Sequence, residues 1–565
     1  MNPPKNSPTG LGWVLLAVCM SVPWLIPVHT NPWTTLYSEV AAGLVVVPLA
    51  AWVLGMRRGR LEIDSLSIGF ALAALVPLLQ AACGLFLFPA EAPVVSLYLI
   101  GAASAVAVAR RSEHCLPGRL TEALFAGLVI AALVSTALAL AQWLHLDWGP
   151  LLAAIPAGVR TVANVGQTNE LSTLLVWGLV GLWWAHLHRH IAGSVSVLAA
   201  AFLLVGVAST QSRTGWLAVS LLLITAVVSP VPLNSKKHRP AFIGIGLWFV
   251  LLVLGWPAAT RLIEGGEALS LDAQLSIGQR PKIWAMMIDG IQHRPWFGYG
   301  WNQGRLVQLA ELPHYADLQI GVQHAHNLVL DLMVWNGIPL GLGLAALLAA
   351  WFWWQLRRAS SATQIMLILA LSTFMLHAML ELPHTKAFFL VPAALMMGVL
   401  NGRSALPVIF RLPRAIAAVG TAVLAVALVL TWVDYRRIEV DLRAYEIRTA
   451  WNGLGPVPPA PEIYILRALQ SALVTPRAEL RAGMDPAELE YLRRLVTRYP
   501  IESALFRYAR AAALNGQPQA AQESLLRWCM LFPQDRCDVA RSVWSDFLAE
   551  HTEIEPIAFP TPQGR

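Results

Sequence analysis

Long apolar segments separated by short polar stretches make up most of the first 432 residues. A membrane-spanning helix needs roughly 17–25 predominantly apolar residues, and this length predicts thirteen spans. Their approximate positions are residues 11–28, 34–54, 66–88, 93–109, 122–143, 169–187, 191–208, 214–229, 241–259, 327–355, 363–380, 386–401 and 415–432. The pattern therefore predicts an all-α fold, a polytopic membrane helical bundle. No convincing small-residue cleavage site follows the first segment, so we interpret it as an uncleaved helix and not as a signal peptide.

Two larger polar regions interrupt or follow these spans. We assign the loop 260–326 to a transmembrane domain of residues 1–432, and residues 433–565 to a second, soluble helical domain. In this second domain apolar residues recur at helical spacing between turn sequences. The predicted helices are 486–498, 502–514, 518–531 and 537–549. They resemble helical hairpins of the tetratricopeptide kind.

Cys529 and Cys537 flank the turn sequence FPQD in the predicted soluble domain. The sequence is compatible both with a disulfide between them and with two free thiols. A disulfide would suit an oxidising compartment such as the periplasm. The five cysteines form no Cys-x-x-Cys or Cys/His metal-binding spacing.

Basic residues alternate between the two sets of loops. One set is rich in Lys and Arg, whereas the short loops of the other hold only Arg160, Arg213 and Lys386. The rich set comprises Lys5, Arg57, Arg58, Arg60, Arg110, Arg111, Arg119, Arg189, Lys236, Lys237, Arg239, Arg357, Arg358, Arg403, Arg411 and Arg414. Because cytoplasmic loops carry the excess of positive charge, the N-terminus is predicted inside, and the 260–326 loop and the C-terminus outside. The net charge of +7 thus reflects topology and not a nucleic-acid-binding face.

Sequence motifs for several enzyme classes are missing. The chain has no Walker loop, GxGxxG fingerprint, GxSxG elbow or HExxH motif. ATP-driven and zinc-hydrolytic mechanisms are therefore unsupported, and we expect no cofactor and no metal. Arginines on the outer side instead favour a substrate that brings its own activation, such as a lipid pyrophosphate.

Polar and ionisable groups close to a bilayer often mark function, and two arginines on the outer side are the first candidates. Arg213, in STQSRTGW, is either a snorkelling arginine at a helix end or a guanidinium that binds an anion. Arg280 begins an amphipathic helix that contains Trp284. This helix could lie on the membrane with Trp284 and Trp296 as interfacial aromatic residues, or its Arg and aromatic residues could bind a sugar phosphate.

Two histidines, His324 and His326, lie in QHAHN just before a long apolar helix. Histidine is well suited to remove a proton near neutral pH, although a histidine at an interface is often only a helix-start residue. Because residues at i and i+2 of an extended loop point to opposite sides, a shared metal is not the first interpretation.

Further polar residues lie on the same side in the stretch 156–173 and near the first outer loop. Capping of a helix by Thr168 or Asn169 is the structural alternative for part of this stretch. The candidates for substrate binding are His324, Asn327, Trp284, Tyr299, Arg160, Asn164, Gln167 and Asn169.

The motifs SRTGW, Arg280-x-x-x-Trp284 with RPWFGYGWN, and HAHNLVLDLMVWNGIPLGL together resemble the membrane O-antigen ligases, O-antigen polymerases and bacterial O-oligosaccharyltransferases, the Wzy/WaaL/PglL group. The similarity covers roughly residues 160–400. The PWTTLYSE and ANVGQTNELSTLL stretches and the C-terminal extension look most like the PglL-type branch that glycosylates proteins.

The resemblance implies transfer of a preassembled oligosaccharide from undecaprenyl pyrophosphate to Ser or Thr of an exported protein such as a pilin, at the bacterial inner membrane. It places the essential histidine at His326 and the phosphate-binding arginines at Arg213 and Arg280. Gly337 keeps the spacing of the family's histidine motif, whereas Leu340 stands where small or polar residues are usual. His324 is the reserve base, followed by Glu39 or Glu170.

Two other functions compete with protein glycosylation. A lipopolysaccharide O-antigen ligase or an O-antigen polymerase would use the same chemistry with a saccharide acceptor. A membrane transporter is the alternative of another class. The transporter is disfavoured because no pair of broken helices is predicted near the midplane.

Overall fold

The computed structural model describes residues 10–56, 60–155, 159–228, 235–264, 278–450, 457–552, 554 and 557–560. Lys5, Arg57 and Arg58 of the topology prediction, residues 156–158 of the polar stretch 156–173 and residues 265–277 of the outer loop lie outside this part of the chain. The regular structure is almost entirely helical, which confirms the predicted fold class.

Each of the thirteen predicted spans coincides with one helix, except that 66–88 corresponds to two successive helices and the helix at 327–355 is broken at Gly337. These helices are α1 (Gly10–Leu25), α2 (Leu36–Met56), α3 (Ser65–Ala73), α4 (Leu75–Ala82), α5 (Ala92–Cys115), α6 (Arg119–Trp143), α7 (Thr168–Leu187), α8 (Gly193–Ser209), α9 (Arg213–Val228), α10 (Ser235–Glu264), α13 (Leu328–Arg358), α14 (Ala362–Ala378), α15 (Ala387–Arg403) and α16 (Arg414–Ala450). Between α10 and α13 the outer loop contains α11 (Arg280–His293) and α12 (Arg305–Ala310). In the described residues, seven helical segments are long and apolar enough to cross a membrane, and five further apolar helices are shorter. The protein is therefore a multi-pass membrane protein.

One compact unit of the structure comprises Met1–Leu75, Ser96–Ser276 and Leu347–Tyr435. At its centre Trp24 and Trp177 are fully buried and meet edge-on, with ring centroids 6.0 Å apart. Small residues let the helices approach closely, as is typical of membrane bundles. A Cβ on Gly127 of α6 would lie only 2.6 Å from the carbonyl oxygen of Ala17 in α1. The core of this unit is thus a tightly packed helix bundle.

A short antiparallel ribbon in the same unit departs from the all-α expectation. It pairs β1 (Leu61–Asp64) with β2 (Val408–Leu412). Arg110 supports the ribbon, because its guanidinium donates to Asp64 at 3.1 Å and to the Leu406 carbonyl oxygen at 2.6 Å. Asp64 and Arg110 are both buried, so this arginine of a basic loop is paired inside the protein, as a buried charge requires.

The second compact unit comprises Val76–Val95, Ile277–Ala346 and Arg436–Arg565. It contains residues 278–326 of the outer loop together with the C-terminal helices. The assignment of this loop to a transmembrane domain of residues 1–432 stays a prediction. The C-terminal helices are α17 (Gln470–Val474), α18 (Pro486–Arg498), α19 (Glu502–Leu514), α20 (Pro518–Leu531) and α21 (Gln534–Glu550). Three of them match the predicted bounds, and the last begins three residues earlier than predicted. Cys529 and Cys537 form a disulfide.

The C-terminal helices contact the outer loop through an apolar cluster and the segment before α5 through a buried ion pair. Leu312 of the loop belongs to the same cluster as Leu492 and Leu505. Arg498 binds both oxygens of Glu91 through Nε and Nη2, at 2.8–3.1 Å. The hydroxyl of Tyr499 donates to Glu91 at 2.7 Å, and burial together with this carboxylate raises the tyrosine pKa. The cluster holds the outer loop, and the ion pair holds the segment before α5, to the C-terminal helices within the unit.

The tenth predicted span, residues 327–355, is not one continuous helix. Gly337 has φ 78° and ψ 170°, which breaks α13 into two parts. The sequence prediction was wrong here because it followed the length and the mainly apolar character of the stretch, although Asn336, Gly337 and Pro339 form a local turn signal. The break lies eleven positions after His326.

Candidate active site

The loop that carries His326 ends at Asn327, which caps α13. The Asn327 side-chain oxygen Oδ1 accepts the N–H groups of Val329 and Leu330 at 3.1 and 3.2 Å. Asn is a favoured N-cap because it satisfies backbone donors that have no partner within the helix. The structure therefore gives Asn327 a structural role, and its role in substrate binding stays a prediction.

Ala325, next to His326, is held from two sides. Its N–H donates to Oδ1 of the buried Asp331 at 2.8 Å, and its carbonyl oxygen accepts the indole N–H of Trp284 at 2.9 Å. His326 has φ 52°, in the left-handed region that non-glycine residues rarely adopt and that clusters at functional sites. The backbone before this histidine is thus anchored to both α11 and α13, as a positioned general base requires.

His324 lies against α13. Its Nδ1 is 4.0 Å from Oδ1 of Asp331, and its ring meets Trp335 edge-on, with centroids 6.0 Å apart. Only 12% of its side chain is exposed. His324 therefore packs beneath the loop, and His326 remains the stronger candidate for the base.

The sequence allows the aromatic residues of the α11 region to be interfacial or to belong to a binding site, and the structure distinguishes Trp284 from Trp296. Trp284 is half-buried and donates its indole N–H to the histidine loop, so it is a protein contact. Trp296 and Phe297, which follow α11, are 71% and 76% exposed. Arg280 is the first residue of α11, one turn before Trp284. This turn of α11 thus links a candidate phosphate-binding residue to the loop of the candidate base.

Tyr299 is buried and its hydroxyl donates to the carbonyl oxygen of Gly290 at 3.2 Å. Burial raises the pKa of this phenol, and the guanidinium of Arg294, 4.7 Å from the ring centroid, opposes that rise. The residue predicted to contact substrate therefore supports the fold of the loop, and a contact with substrate stays a prediction.

The segment 295–300 binds the broken part of α13 through its backbone. The N–H groups of Tyr299 and Gly300 donate to the carbonyl oxygens of Val334 and Trp335 at 2.8 and 3.1 Å. In the opposite direction, Ile338 N–H donates to the carbonyl oxygen of Pro295 at 2.7 Å. These bonds replace the helical ones that the break removes, which is the condition for irregular backbone close to a membrane.

Gln80 and Gln303 complete this arrangement. Gln80 of α4 donates to the Trp335 carbonyl oxygen at 2.9 Å and accepts the N–H of Trp301 at 2.9 Å. The fully buried Gln303 donates to the carbonyl oxygens of Leu85 and Tyr299. Neither residue was a candidate, although Gln80 could have been found as a polar side chain within a predicted span, where such groups are rare.

In the first compact unit, Arg160 and Arg213 are close enough to interact. Burial and the positive charge of Arg213 lower the pKa of Arg160, and the carboxylate of Glu381 opposes this effect. Arg160 also donates to the carbonyl oxygen of Gln211 at 3.3 Å, in the turn before α9. Two guanidinium groups brought together in this way favour an oxyanion such as phosphate.

Asn169 lies beside this pair of arginines. Its amide donates to Glu381 at 3.0 Å, and its oxygen accepts the hydroxyl of Ser212 at 2.6 Å. Gln167 occupies the N-cap position of α7 without a capping side-chain bond, so the structure does not show the capping alternative that the sequence left open for this stretch.

Asn164 has a scaffold role. It is 1% exposed, and its side chain bonds to the backbone of Leu25, Leu151 and Ala153. These three bonds use both N–H donors and one of the two acceptor positions of the amide. The prediction that Asn164 contacts substrate therefore has no support from its surroundings and stays a prediction.

The reserve bases Glu39 and Glu170 are both buried. Glu39 accepts a hydrogen bond from the hydroxyl of Thr35 at 3.0 Å and another from the N–H of Ala387. Within the described part of the chain, no three His, Cys, Asp or Glu side chains are grouped so that they could hold a metal ion.

Two family models match the chain. Residues 198–345 match a family described as O-antigen ligase, and residues 365–546 match one described as the C-terminal part of a virulence factor membrane-bound polymerase. The first match contains Arg213, Arg280 and His326, whereas Arg160 lies before it.

Two curated relatives come from Acinetobacter baylyi. The chain is 28% identical over 541 residues to a general O-oligosaccharyltransferase, with 91% of each chain covered. It is 26% identical over 275 residues to a ComP-specific O-oligosaccharyltransferase, which covers 48% of this chain and 50% of the relative. The first likeness therefore extends over both compact units.

Proposed function

We propose that this chain, which belongs to the O-antigen ligase superfamily, is an O-oligosaccharyltransferase that transfers an oligosaccharide en bloc to Ser or Thr hydroxyls of exported proteins. The observation that carries the proposal is the likeness over 91% of both chains to one O-oligosaccharyltransferase. The chain is thus an enzyme of the glycosyltransferase class. The finer identities that we propose are undecaprenyl pyrophosphate as the carrier of the donor and a pilin-like protein as the acceptor.

In the proposed reaction His326 acts as the general base. The acceptor hydroxyl oxygen attacks the anomeric carbon of the first sugar while its proton passes to the imidazole. The bond from this carbon to the diphosphate oxygen breaks, and the lipid diphosphate leaves with the electron pair. Direct displacement inverts the anomeric centre. The anchoring of Ala325 on both sides supports this role for the neighbouring histidine.

We assign the binding of the donor diphosphate to Arg213 and Arg280, because guanidinium groups stabilise the negative charge that develops on the leaving group. Because Arg160 interacts with Arg213, we propose that Arg160 also contributes to binding of the diphosphate. This chemistry uses the energy of the donor itself, so the proposed reaction needs no ATP.

The proposed location is the bacterial inner membrane, with a cytoplasmic N-terminus and with the outer loop and C-terminus in the periplasm. The distribution of basic loops supports this orientation. A lipid-linked donor and an exported acceptor would meet on the periplasmic side.

The decisive test uses purified protein, a defined undecaprenyl-pyrophosphate-linked glycan and candidate acceptor proteins. We expect glycosylated acceptor with wild-type protein. His326→Ala should reduce transfer by at least about 10²-fold, the lower range for loss of a general base, without loss of protein. His324→Ala is the matched variant and should retain more activity. Full activity of His326→Ala would move the base to His324, Glu39 or Glu170.

An O-antigen ligase is the second candidate, because one family model carries that description. Deletion of the gene separates the two functions. Loss of protein glycosylation with an intact lipopolysaccharide ladder supports our proposal. Loss of the ladder with unchanged glycoproteins would refute it.

A further inference from the structure

The break at Gly337 defines which part of α13 crosses the membrane. Residues 338–358 form 21 helical positions after the break, and at 1.5 Å per residue they extend about 31 Å. The hydrocarbon core of a bilayer is about 30 Å thick. The second part of α13 is therefore long enough to span the membrane alone, and the break lies at one membrane surface.

Side-chain exposure supports this division of α13. Before the break, Asp331, Trp335 and Asn336 are buried inside the protein. After it, exposed apolar side chains follow, including Leu340 and the 65% exposed Leu347. Exposed leucines on a membrane helix face lipid, so contact with the bilayer begins at the break.

The far end of this segment has the signs of the opposite membrane surface. Arg357 and Arg358 lie over the rings of Trp353 and Trp354, with distances of 4.8 and 5.1 Å to the ring centroids. Tryptophan and basic residues are typical of the membrane–water interface. The two ends of residues 338–358 thus correspond to the two faces of one bilayer.

The aromatic turn, residues 295–298, is fixed at the level of the break. The carbonyl oxygen of Pro295 accepts the N–H of Ile338 at 2.7 Å. The backbones of Trp296 and Gly337 are in such close contact that a Cβ on Gly337 would lie 2.4 Å from the Trp296 carbonyl group. Trp296 and Phe297 are nevertheless among the most exposed large apolar side chains of the described residues.

We propose that the aromatic turn inserts Trp296 and Phe297 into the membrane–water interface, in the outer leaflet of the membrane that the protein spans. The partner of this surface is the lipid bilayer, because the turn is hydrogen-bonded to the residue at which lipid contact of α13 begins. Transfer of Trp and Phe side chains from water to the membrane interface is favourable in free energy. Trp284, which points to the histidine loop, takes no part in this contact.

Insertion holds the start of the second part of α13, and with it α11, at the membrane surface. The consequence for activity rests on the proposed function: a diphosphate on a long lipid emerges from the bilayer at this level. The aromatic turn would keep the donor-binding loop at that height.

A labelling experiment tests the insertion without reference to activity. The exposed thiols Cys19 and Cys83 are replaced by serine, and Trp296→Cys or Phe297→Cys is labelled with an environment-sensitive NBD fluorophore in proteoliposomes. We expect blue-shifted emission and quenching by lipids that carry a spin label high on the acyl chain. Leu347→Cys is the membrane control, and Ile501→Cys, in the C-terminal helices and 58% exposed, is the water control. Emission like that of Ile501→Cys at both positions would overturn the proposal.

An activity experiment tests the consequence. For Trp296→Ser/Phe297→Ser, we expect KM for a long-chain lipid donor in vesicles to rise roughly tenfold, which corresponds to about 1.4 kcal/mol. Activity with a short-chain, water-soluble donor should be unchanged. Equal loss with both donors would show that the turn does not act through the membrane. Failure of the wild-type protein with every donor would instead refute the proposed function and leave the labelling result valid.

Discussion

At the residue scale, the histidine loop depends on one buried carboxylate. Asp331 lies one turn into α13 and accepts the N–H of Ala325 while also interacting with the charge of His326. This bond holds the backbone directly before His326, whereas the imidazole nearest to the carboxylate is that of His324, at 4.0 Å. Asp331 is therefore a positioning residue that acts through His326.

We expect Asp331→Ala to lower kcat at least tenfold, because the Ala325 N–H loses its acceptor and the backbone before His326 relaxes. An unsatisfied buried donor costs about 1–3 kcal/mol. Asp331→Asn is the matched variant, since its amide oxygen can accept the same N–H, and it should retain more activity. The measurements are kcat for glycan transfer and thermal unfolding in detergent. Wild-type kcat in Asp331→Ala would contradict this role.

At the element scale, the break in α13 depends on Gly337. A substitution there would place a Cβ 2.4 Å from the Trp296 backbone and would hold a non-glycine residue at φ 78°. Gly343, six residues later in the same helix, has open space at its Cβ position. The two glycines therefore form a matched pair for mutation.

We expect Gly337→Ala to destabilise the protein by about 1–3 kcal/mol, the cost of a strained backbone, and to reduce transfer because the histidine loop begins the same helix. Gly343→Ala should be neutral or slightly stabilising. Thermal unfolding and transfer rates of both variants provide the measurement. If the two variants have the same unfolding temperature and the same transfer rate, the break does not require glycine at position 337.

The apolar pattern was sufficient to predict the helices but not this break. The thirteen spans follow from length and composition, because a bilayer demands long apolar helices. The break depends on residues 295–300, about 40 positions away, and the β1–β2 ribbon joins strands about 350 positions apart. Such long-range contacts leave no local signal. For the same reason the sequence could not distinguish Trp284, which binds the loop, from Trp296, which is exposed.

The candidate site shows the same limit. Motifs and the resemblance to a family identify Arg213, Arg280 and His326 as candidates. Of the supporting residues, Gln80 carries a local signal as a polar side chain within a predicted span, but its bond to Trp335, 255 positions away, does not follow from the sequence. Asp331 acts through a hydrogen bond to the backbone of Ala325, which residue types alone do not reveal. A motif shows which chemistry is present, whereas the packing that positions it appears only in three dimensions.

At the scale of the whole molecule, the C-terminal helices are attached to the segment before α5 by the ion pair of Arg498 and Glu91. Both side chains are buried, and removal of one member of a buried pair typically costs about 3–5 kcal/mol. Arg481 and Glu488, in contrast, form an exposed pair at 3.0 Å, and such pairs contribute only about 0–1 kcal/mol.

We therefore expect Arg498→Leu to lower the unfolding temperature clearly and to make the C-terminal helices more sensitive to proteolysis. Arg481→Leu, the matched control, should behave as wild type. Limited proteolysis followed by mass spectrometry identifies the region that opens. If both variants resist protease equally well, the ion pair does not secure this attachment.

Orientation in the membrane can be tested with two residues of equal exposure. Ile409 in β2 and Ile501 before α19 are both 58% exposed, but the positive-inside rule assigns them to opposite sides. In protein without Cys19 and Cys83, we expect a membrane-impermeant maleimide added to spheroplasts to label Ile501→Cys, and to label Ile409→Cys only after permeabilisation. The disulfide between Cys529 and Cys537 supports an oxidising location for the C-terminal helices. The reverse labelling pattern would place the histidine loop in the cytoplasm, where an exported acceptor is not yet available, and would contradict both the orientation and the proposed acceptor class.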